Sequence, residues 1–172
     1  AATFVDPSSY PNYLDFNGTN DVLNSDTNLP ASTGFSFNIW VKHNGAQSGG
    51  YDRIFGGSAF RFEIAETNTG LIRLYEGSWY TSTVTLDDVG WTNLAIVNTV
   101  DPLMKIYKNG ALQQTLTGGR AMTSQSWRLG GNGNTPATET WKGFIGYFSY
   151  YSKELTTPEI IQNYNVLKSR FI

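Results

Sequence analysis

The stretch FSFNIWVK at residues 35–42 places Phe35, Phe37, Ile39 and Val41 on one side of an extended chain and Ser36, Asn38, Trp40 and Lys42 on the other. Side chains of a strand alternate between faces, so this pattern predicts a β-strand with its apolar side in a core. Outward from it, short runs of the same kind recur, bounded by Gly, Asn or Asp: YLDF (13–16), RIFGG (53–57), FRFEIA (60–65), LIRLYE (71–76), STVTL (82–86) and WTNLAIVN (91–98). MKIYKNGALQQTL (104–116) reads as a hairpin, because Asn109-Gly110 accepts the positive φ values of a tight type I′ turn. SWRLGG (126–131) and WKGFIGYFSYYS (141–152) close the series. Strands about 8 to 12 residues apart, with no helix among them, predict an antiparallel sandwich or barrel.

One helix is predicted at the end. Thr156 suits its N-cap, Glu159 stands at capping-box spacing, and Pro158 is tolerated in a first turn. Ile160, Ile161, Tyr164 and Leu167 form its apolar stripe, and Phe171 extends that packing. In FIGYFSYYS, Phe144, Phe148 and Tyr150 are expected on one face and Ile145, Tyr147 and Tyr151 on the other. One face should enter the core, and the other needs cover from the terminal helix or from another chain. Residues 1–12 read as a lead-in or linker, and residues 13–172 as one domain. An opening Ala1-Ala2-Thr3 without Met reads as a processed product or a piece of something longer.

Composition narrows the chemistry. The 172 residues contain 18 Gly, 10 Tyr, 10 Phe and 5 Trp, and only 15% are charged against the roughly 25% usual in globular chains. With Cys 0, there is no disulfide, thiolate nucleophile, Fe–S cluster or cysteine-ligated zinc. His 1 excludes any site built on two imidazoles. Lys+Arg 12 against Asp+Glu 14, without a basic cluster, argues against nucleic acid as a partner. No apolar run approaches the roughly 20 residues of a membrane span, so no membrane insertion is expected.

Together, YLDFNGTND (13–21), FSFNIWVK with IFGG (54–57), WTNLAIV leading to MKIYKNG, WRLGG, and WKGFIGYFSYYSKELTTPEIIQNYN (141–165) resemble, in order, a laminin-G-like jelly-roll domain of the concanavalin-A-like lectin/glucanase superfamily. The resemblance covers about 13–168. It implies a two-sheet sandwich, often calcium-dependent, that commonly binds sugars or proteins and in some members hydrolyses glycans. The closing EIIQNYNVLKSRF also resembles the endings of such domains in phage tail and virion-surface proteins. Many relatives place an acidic residue, which helps hold a structural calcium, where this chain has Gly146-Tyr147.

Hydrolysis of a glycoside needs two carboxylates facing one cleft. Glu63 and Glu66 are three apart and so fall on opposite faces of a strand, while Asp87-Asp88 reads as a turn. His43 begins a Gly-rich loop and is expected to be an exposed loop histidine; its functional alternative is hydrogen bonding to a ligand at the loop rim. Calcium requires six to eight oxygens. Candidate donors are Asp15, Asp21, Asp52, Asn132, Asn134 and Glu139, with Asp21, Asp52 and Glu139 as the carboxylates of a site; the plainer alternative is that they form turns. Asn17-Gly18-Thr19 fits a glycosylation sequon but reads as a turn.

Sugar binding needs flat rings and short polar groups presented by loops. Trp79 and Tyr80, expected exposed at a hairpin, together with Tyr51, Asn132 and Asn134, are the candidate ligand-binding residues. Trp40, Trp91, Trp127 and Trp141 are expected to pack in the core or on a sheet face. The expected protein is therefore an all-β jelly-roll sandwich with one short C-terminal helix, acting as a non-catalytic lectin-like module that binds a glycan on a virion surface or outside a cell. The alternatives are a virion decoration subunit contacting neighbouring protein chains through the aromatic face and residues 1–12, with homo-oligomers allowed, and a glycan hydrolase as the third reading.

Overall fold

The computed structural model describes residues 3–4, 13–45, 51–57, 63–67, 70–75, 77–86, 90–131 and 139–172. Among them run β1 (Thr3–Phe4), β2 (Leu14–Asn17), β3 (Leu23–Asn24), β4 (Phe35–His43), β5 (Tyr51–Gly57), β6 (Glu63–Thr67), β7 (Leu71–Tyr75), β8 (Trp79–Thr85), β9 (Thr92–Asn98), β10 (Leu103–Lys108), β11 (Ala111–Thr117), β12 (Trp127–Leu129), β13 (Lys142–Tyr151) and α1 (Thr157–Lys168). They form a seven-stranded sheet in the order β1-β2-β13-β4-β9-β10-β11 and a six-stranded sheet in the order β3-β12-β5-β6-β7-β8. All pairings are antiparallel, and the two sheets pack as a jelly-roll sandwich. No helix among the described residues is long and apolar enough to cross a membrane.

The alternation in 35–42 holds. Phe35, Phe37, Ile39 and Val41 are fully buried in the inter-sheet core with Phe55, Ile72, Leu74, Leu94, Ile96 and Trp141. Each such side chain contributes about 1.5–3 kcal/mol relative to exposure. Asn109 and Gly110 adopt φ of 52° and 80°, as the type I′ turn requires. One strand limit differs from the sequence reading, β8 beginning at Trp79 rather than 82, and of the strand read at 60–65 residues 60–62 lie outside the described residues. Within the lead-in 1–12, Thr3–Phe4 pair with Leu14–Asp15, and the rest of that segment lies outside the described residues.

β4 is buried on both faces, because α1 covers its other side. Trp40 is completely buried there, stacked on Tyr164 at 5.6 Å and 11° and on Phe171 at 4.7 Å. Ser36 is satisfied too: its Oγ donates to the Lys153 carbonyl at 3.0 Å and accepts the Leu155 N–H at 2.9 Å. Asn93 Nδ2 donates to Asn38 Oδ1 at 2.6 Å. Buried polar groups so paired escape most of their desolvation cost. The capping box forms as expected, with Thr156 and Glu159 bonded reciprocally. Ile160 is buried, but Ile161 departs from the expected stripe and turns to solvent, 42% exposed.

The expected faces of 144–151 are corrected. The register with β4 slips between Ile145 and Tyr147, making Gly146 a bulge. An extra residue reverses the alternation beyond it. Ile145 therefore shares the core with Phe148 and Tyr150, while Phe144 packs outside against Tyr13 at 4.9 Å and near Trp91 at 6.3 Å. Tyr151 joins the small cluster beneath α1, and its hydroxyl accepts from Asn163 at 3.1 Å. The chain's own helix thus provides cover for the outward side of β13.

Three outcomes follow. A Cβ at Gly146 would overlap the Phe171 ring and come within 3.1 Å of Trp91, so Gly146→Ala should cost about 1–3 kcal/mol in urea unfolding. Thr156→Ala should cost about 1 kcal/mol through the lost cap. The Lys153 ammonium and the Thr156 N–H and hydroxyl hold the Glu159 carboxyl at about 2, below its ordinary 4.5. A lowered carboxylate stabilises above its unfolded value and loses that contribution as pH falls. Melting temperatures between about pH 5 and 2 should therefore fall less steeply for Glu159→Gln than for the parent.

Candidate functional site

The six-stranded sheet turns Ile72, Leu74 and Val84 inward. The pleat consequently sends Arg73 and Tyr75 of β7, and Trp79 of β8, to its outer face. Register completes the arrangement. Arg53 of β5 pairs with Ala65 of β6, which pairs with Arg73, so two arginines share one row across a small residue. Tyr75 pairs with Trp79 in the adjoining row, their rings 5.0 Å apart.

Both guanidinium groups lie against the Trp79 indole, Arg53 at 4.4 Å and Arg73 at 4.6 Å from the ring centroid. Such cation–π contacts are each worth about 0.5–2 kcal/mol, depending on desolvation. Arg53 is 5% exposed, and its Nε and Nη2 both donate to Glu139 Oε2, at 3.0 and 2.6 Å. The indole is therefore locked by charge on the sheet face. It does not stand as a bare stacking platform at a hairpin tip, but lies between the buried Arg53 and the part-exposed Arg73.

The expected ligand residues are only partly brought together. Trp79 faces outward, whereas Tyr80, next in the strand, turns in against the main core and toward Gly118. Tyr51 begins β5, but its side chain lies outside the described residues, as do Asn132 and Asn134. Glu63 and Glu66 fall in β6, with their side chains likewise outside the described residues, and Asp87 and Asp88 are not described.

The expected metal residues serve separate partners. Asp21 accepts the Asn17 N–H at 3.1 Å, Asp52 meets His43 and Glu139 holds Arg53. Among the described residues no three acidic or imidazole groups gather. In this arrangement the Glu139 carboxylate holds the Arg53 guanidinium and the Asp52 carboxylate the His43 imidazole. Asn17 organises its turn, its Oδ1 accepting the N–H groups of Thr19 and Asn20.

His43 is corrected outright. It is the last residue of β4, 6% exposed, its Nε2 3.2 Å from Asp52 Oδ2 and its ring 5.2 Å from Trp141. β4 and β5 belong to different sheets, so this pair ties the sandwich together where the sequence suggested a loose loop. Trp141 is core, Trp127 stacks on Phe55 and Phe148, and Trp91 packs on Phe171, all within the sandwich and its covered face.

Sequence reasoning missed Arg53 and Arg73. Arg73 sits between Ile72 and Leu74, a local signal that it must face away from the core. Its meeting with Trp79 and Arg53 depends on register, which no local pattern contains. Asp52→Ala should cost about 1–3 kcal/mol in unfolding experiments, because the buried imidazole loses its carboxylate.

A laminin G family model described as "Concanavalin A-like lectin/glucanases superfamily" matches residues 16–161. No curated protein matches the sequence. Among solved structures, the chain is similar to a heptameric SAP-like pentraxin from Limulus polyphemus, with TM-score 0.71 and 18% identity over 87% of this chain and 79% of that one. It is also similar to botulinum neurotoxin type C, whose cell entry depends on interaction with two ganglioside molecules: TM-score 0.70, 16% identity, 97% of this chain and 45% of that one. A third is Trypanosoma rangeli sialidase in complex with 2,3-difluoro-KDN, with TM-score 0.68 and 13% identity over 91% of this chain and 27% of that one. At these identities the likeness is one of fold.

Proposed function

The chain belongs to the concanavalin A-like lectin/glucanase superfamily, and from that premise we propose that it is a non-catalytic module that binds a glycan on the outer face of its six-stranded sheet. The observation that carries this reading is Trp79, half-buried and held by Arg53 and Arg73 on the sheet face opposite the one α1 covers. The part-exposed indole and the part-exposed Arg73 guanidinium beside it together match the alternating apolar and hydroxyl surface of a sugar. Carbohydrate partners of the similar folds, a ganglioside for the neurotoxin and 2,3-difluoro-KDN for the sialidase, support the ligand class.

The non-catalytic reading draws on the carboxylates. Glu139 is bound to Arg53 and Asp52 to His43, so neither is presented as one of the acid/base pair that glycoside cleavage needs. Placement on a virion surface or outside a cell is part of the proposal, and rests on the resemblance of residues 159–171 to virion-protein endings. On the outer side of 144–151, Phe171 lies over Gly146 and Asn163 donates to the Tyr151 hydroxyl, so part of that aromatic face is already covered by the chain's own C-terminal segment.

A glycan array read with the parent and Trp79→Ala tests the proposal. Binding should be detectable and should weaken by about tenfold or more in the variant, as for a central aromatic contact. Tyr80→Phe, on the inward face, should bind like the parent. Failure of the parent to bind any sugar overturns the proposal, as does binding that Trp79→Ala leaves intact.

A further inference from the structure

Glu139 comes to the outer face of the six-stranded sheet from the segment between β12 and β13, 86 positions from Arg53. Its Oε2 accepts from both Nε and Nη2 of Arg53, at 3.0 and 2.6 Å. The Arg53 side chain is 6% exposed and that of Glu139 24%. Two N–H groups of one planar guanidinium on a single oxygen fix the plane of the fork as well as its place.

The reach of Arg53 gives that hold its importance. β6 and β7 separate β5 from β8, a distance of about 14 Å at ordinary strand spacing. Yet the Arg53 guanidinium lies 4.4 Å from the centroid of the Trp79 ring. Both side chains must therefore lie along the sheet toward each other, across the strand that carries Ala65. A long side chain has many other rotamers, and a buried guanidinium without a carboxylate is strongly disfavoured. Glu139 selects this rotamer and supplies that carboxylate. Arg73 and Tyr75, by contrast, stand on β7, the strand beside Trp79, and meet the ring locally.

We infer that Glu139 is a positioning residue of the glycan site, which sets the orientation of the Trp79 indole through Arg53. The consequence for affinity rests on the glycan-binding reading; the linkage from Glu139 to Trp79 does not.

Nitrogen–proton correlation spectra test the linkage without any ligand. The Trp79 Nε1–H signal is identified by its loss in Trp79→Phe, and the Arg53 Nε–H by its loss in Arg53→Gln. In the parent the Arg53 Nε–H should be protected from exchange with water. In Glu139→Gln, shown folded by circular dichroism, that protection should be lost and the Trp79 signal should shift. Arg53→Gln should shift Trp79 likewise, and adding Glu139→Gln to it should change nothing further, since the two act in series. Glu154→Gln, whose carboxylate accepts the Val100 N–H elsewhere, should leave both signals in place. Toward the sugar that the parent binds most tightly on the array, Glu139→Gln should weaken binding by about tenfold or more, as loss of a central aromatic contact does. A Trp79 signal that Glu139→Gln leaves unmoved overturns the inference, whatever happens to affinity, and so do effects of Glu139→Gln and Arg53→Gln that add. A parent that binds no sugar removes the glycan reading, and the spectra alone then decide the role of Glu139.

Discussion

Burial of β4 on both faces is the constraint on which the rest of this structure depends. One face supplies Phe35, Phe37, Ile39 and Val41 to the space between the sheets. The other carries Ser36, Asn38 and Trp40, none of which is exposed. A central strand whose second face is part polar needs a cover that offers hydrogen bonds as well as apolar surface. The segment 153–171 provides both: backbone groups of Lys153 and Leu155 for Ser36, and the rings of Tyr164 and Phe171 for Trp40. Asn93 Nδ2 of the neighbouring strand donates to Asn38 Oδ1. The terminal helix is accordingly part of the fold, held by a capping box at its start and by an aromatic anchor just past its end.

The same constraint divides the molecule into two unlike outer faces. α1 closes over the seven-stranded sheet, helped by the bulge at Gly146. That bulge delivers Ile145, Phe148 and Tyr150 to one side while leaving Phe144 on the other. Among the described residues no helix lies on the six-stranded sheet, and its outer face is organised by charge: Glu139 orients Arg53, and Arg53 and Arg73 hold Trp79. Where the two sheets meet near the end of β4, the buried His43–Asp52 pair links them.

Much of the fold was legible because strand burial writes itself in the sequence with period 2. Residues 35–42, the Asn109-Gly110 turn and the Thr156/Glu159 capping box all act through neighbours within a few positions, and all stand as read. The faces of 144–151 were misread because one inserted residue leaves composition unchanged yet reverses everything after it. His43 was misread for a related reason. Its local setting is a glycine-rich loop, while its burial comes from Asp52 on the other sheet and from Trp141, almost a hundred positions away.

The candidate site shows the same division. Trp79 was visible as a ring without an evident core role, and Tyr80 seemed its companion until the pleat separated them. The groups that actually meet Trp79 come from β5 and β7, and the one that orients Arg53 from position 139. By itself, the sequence determined the strand-rich sandwich, the capped terminal helix and the absence of thiol and two-histidine chemistry, because these depend on composition and on contacts a few residues apart. The tertiary structure alone decided which ring faces out, which carboxylates are already spent and which face α1 covers. Those outcomes depend on strand register and on one bulge, and register is a relation between distant segments that no single segment encodes.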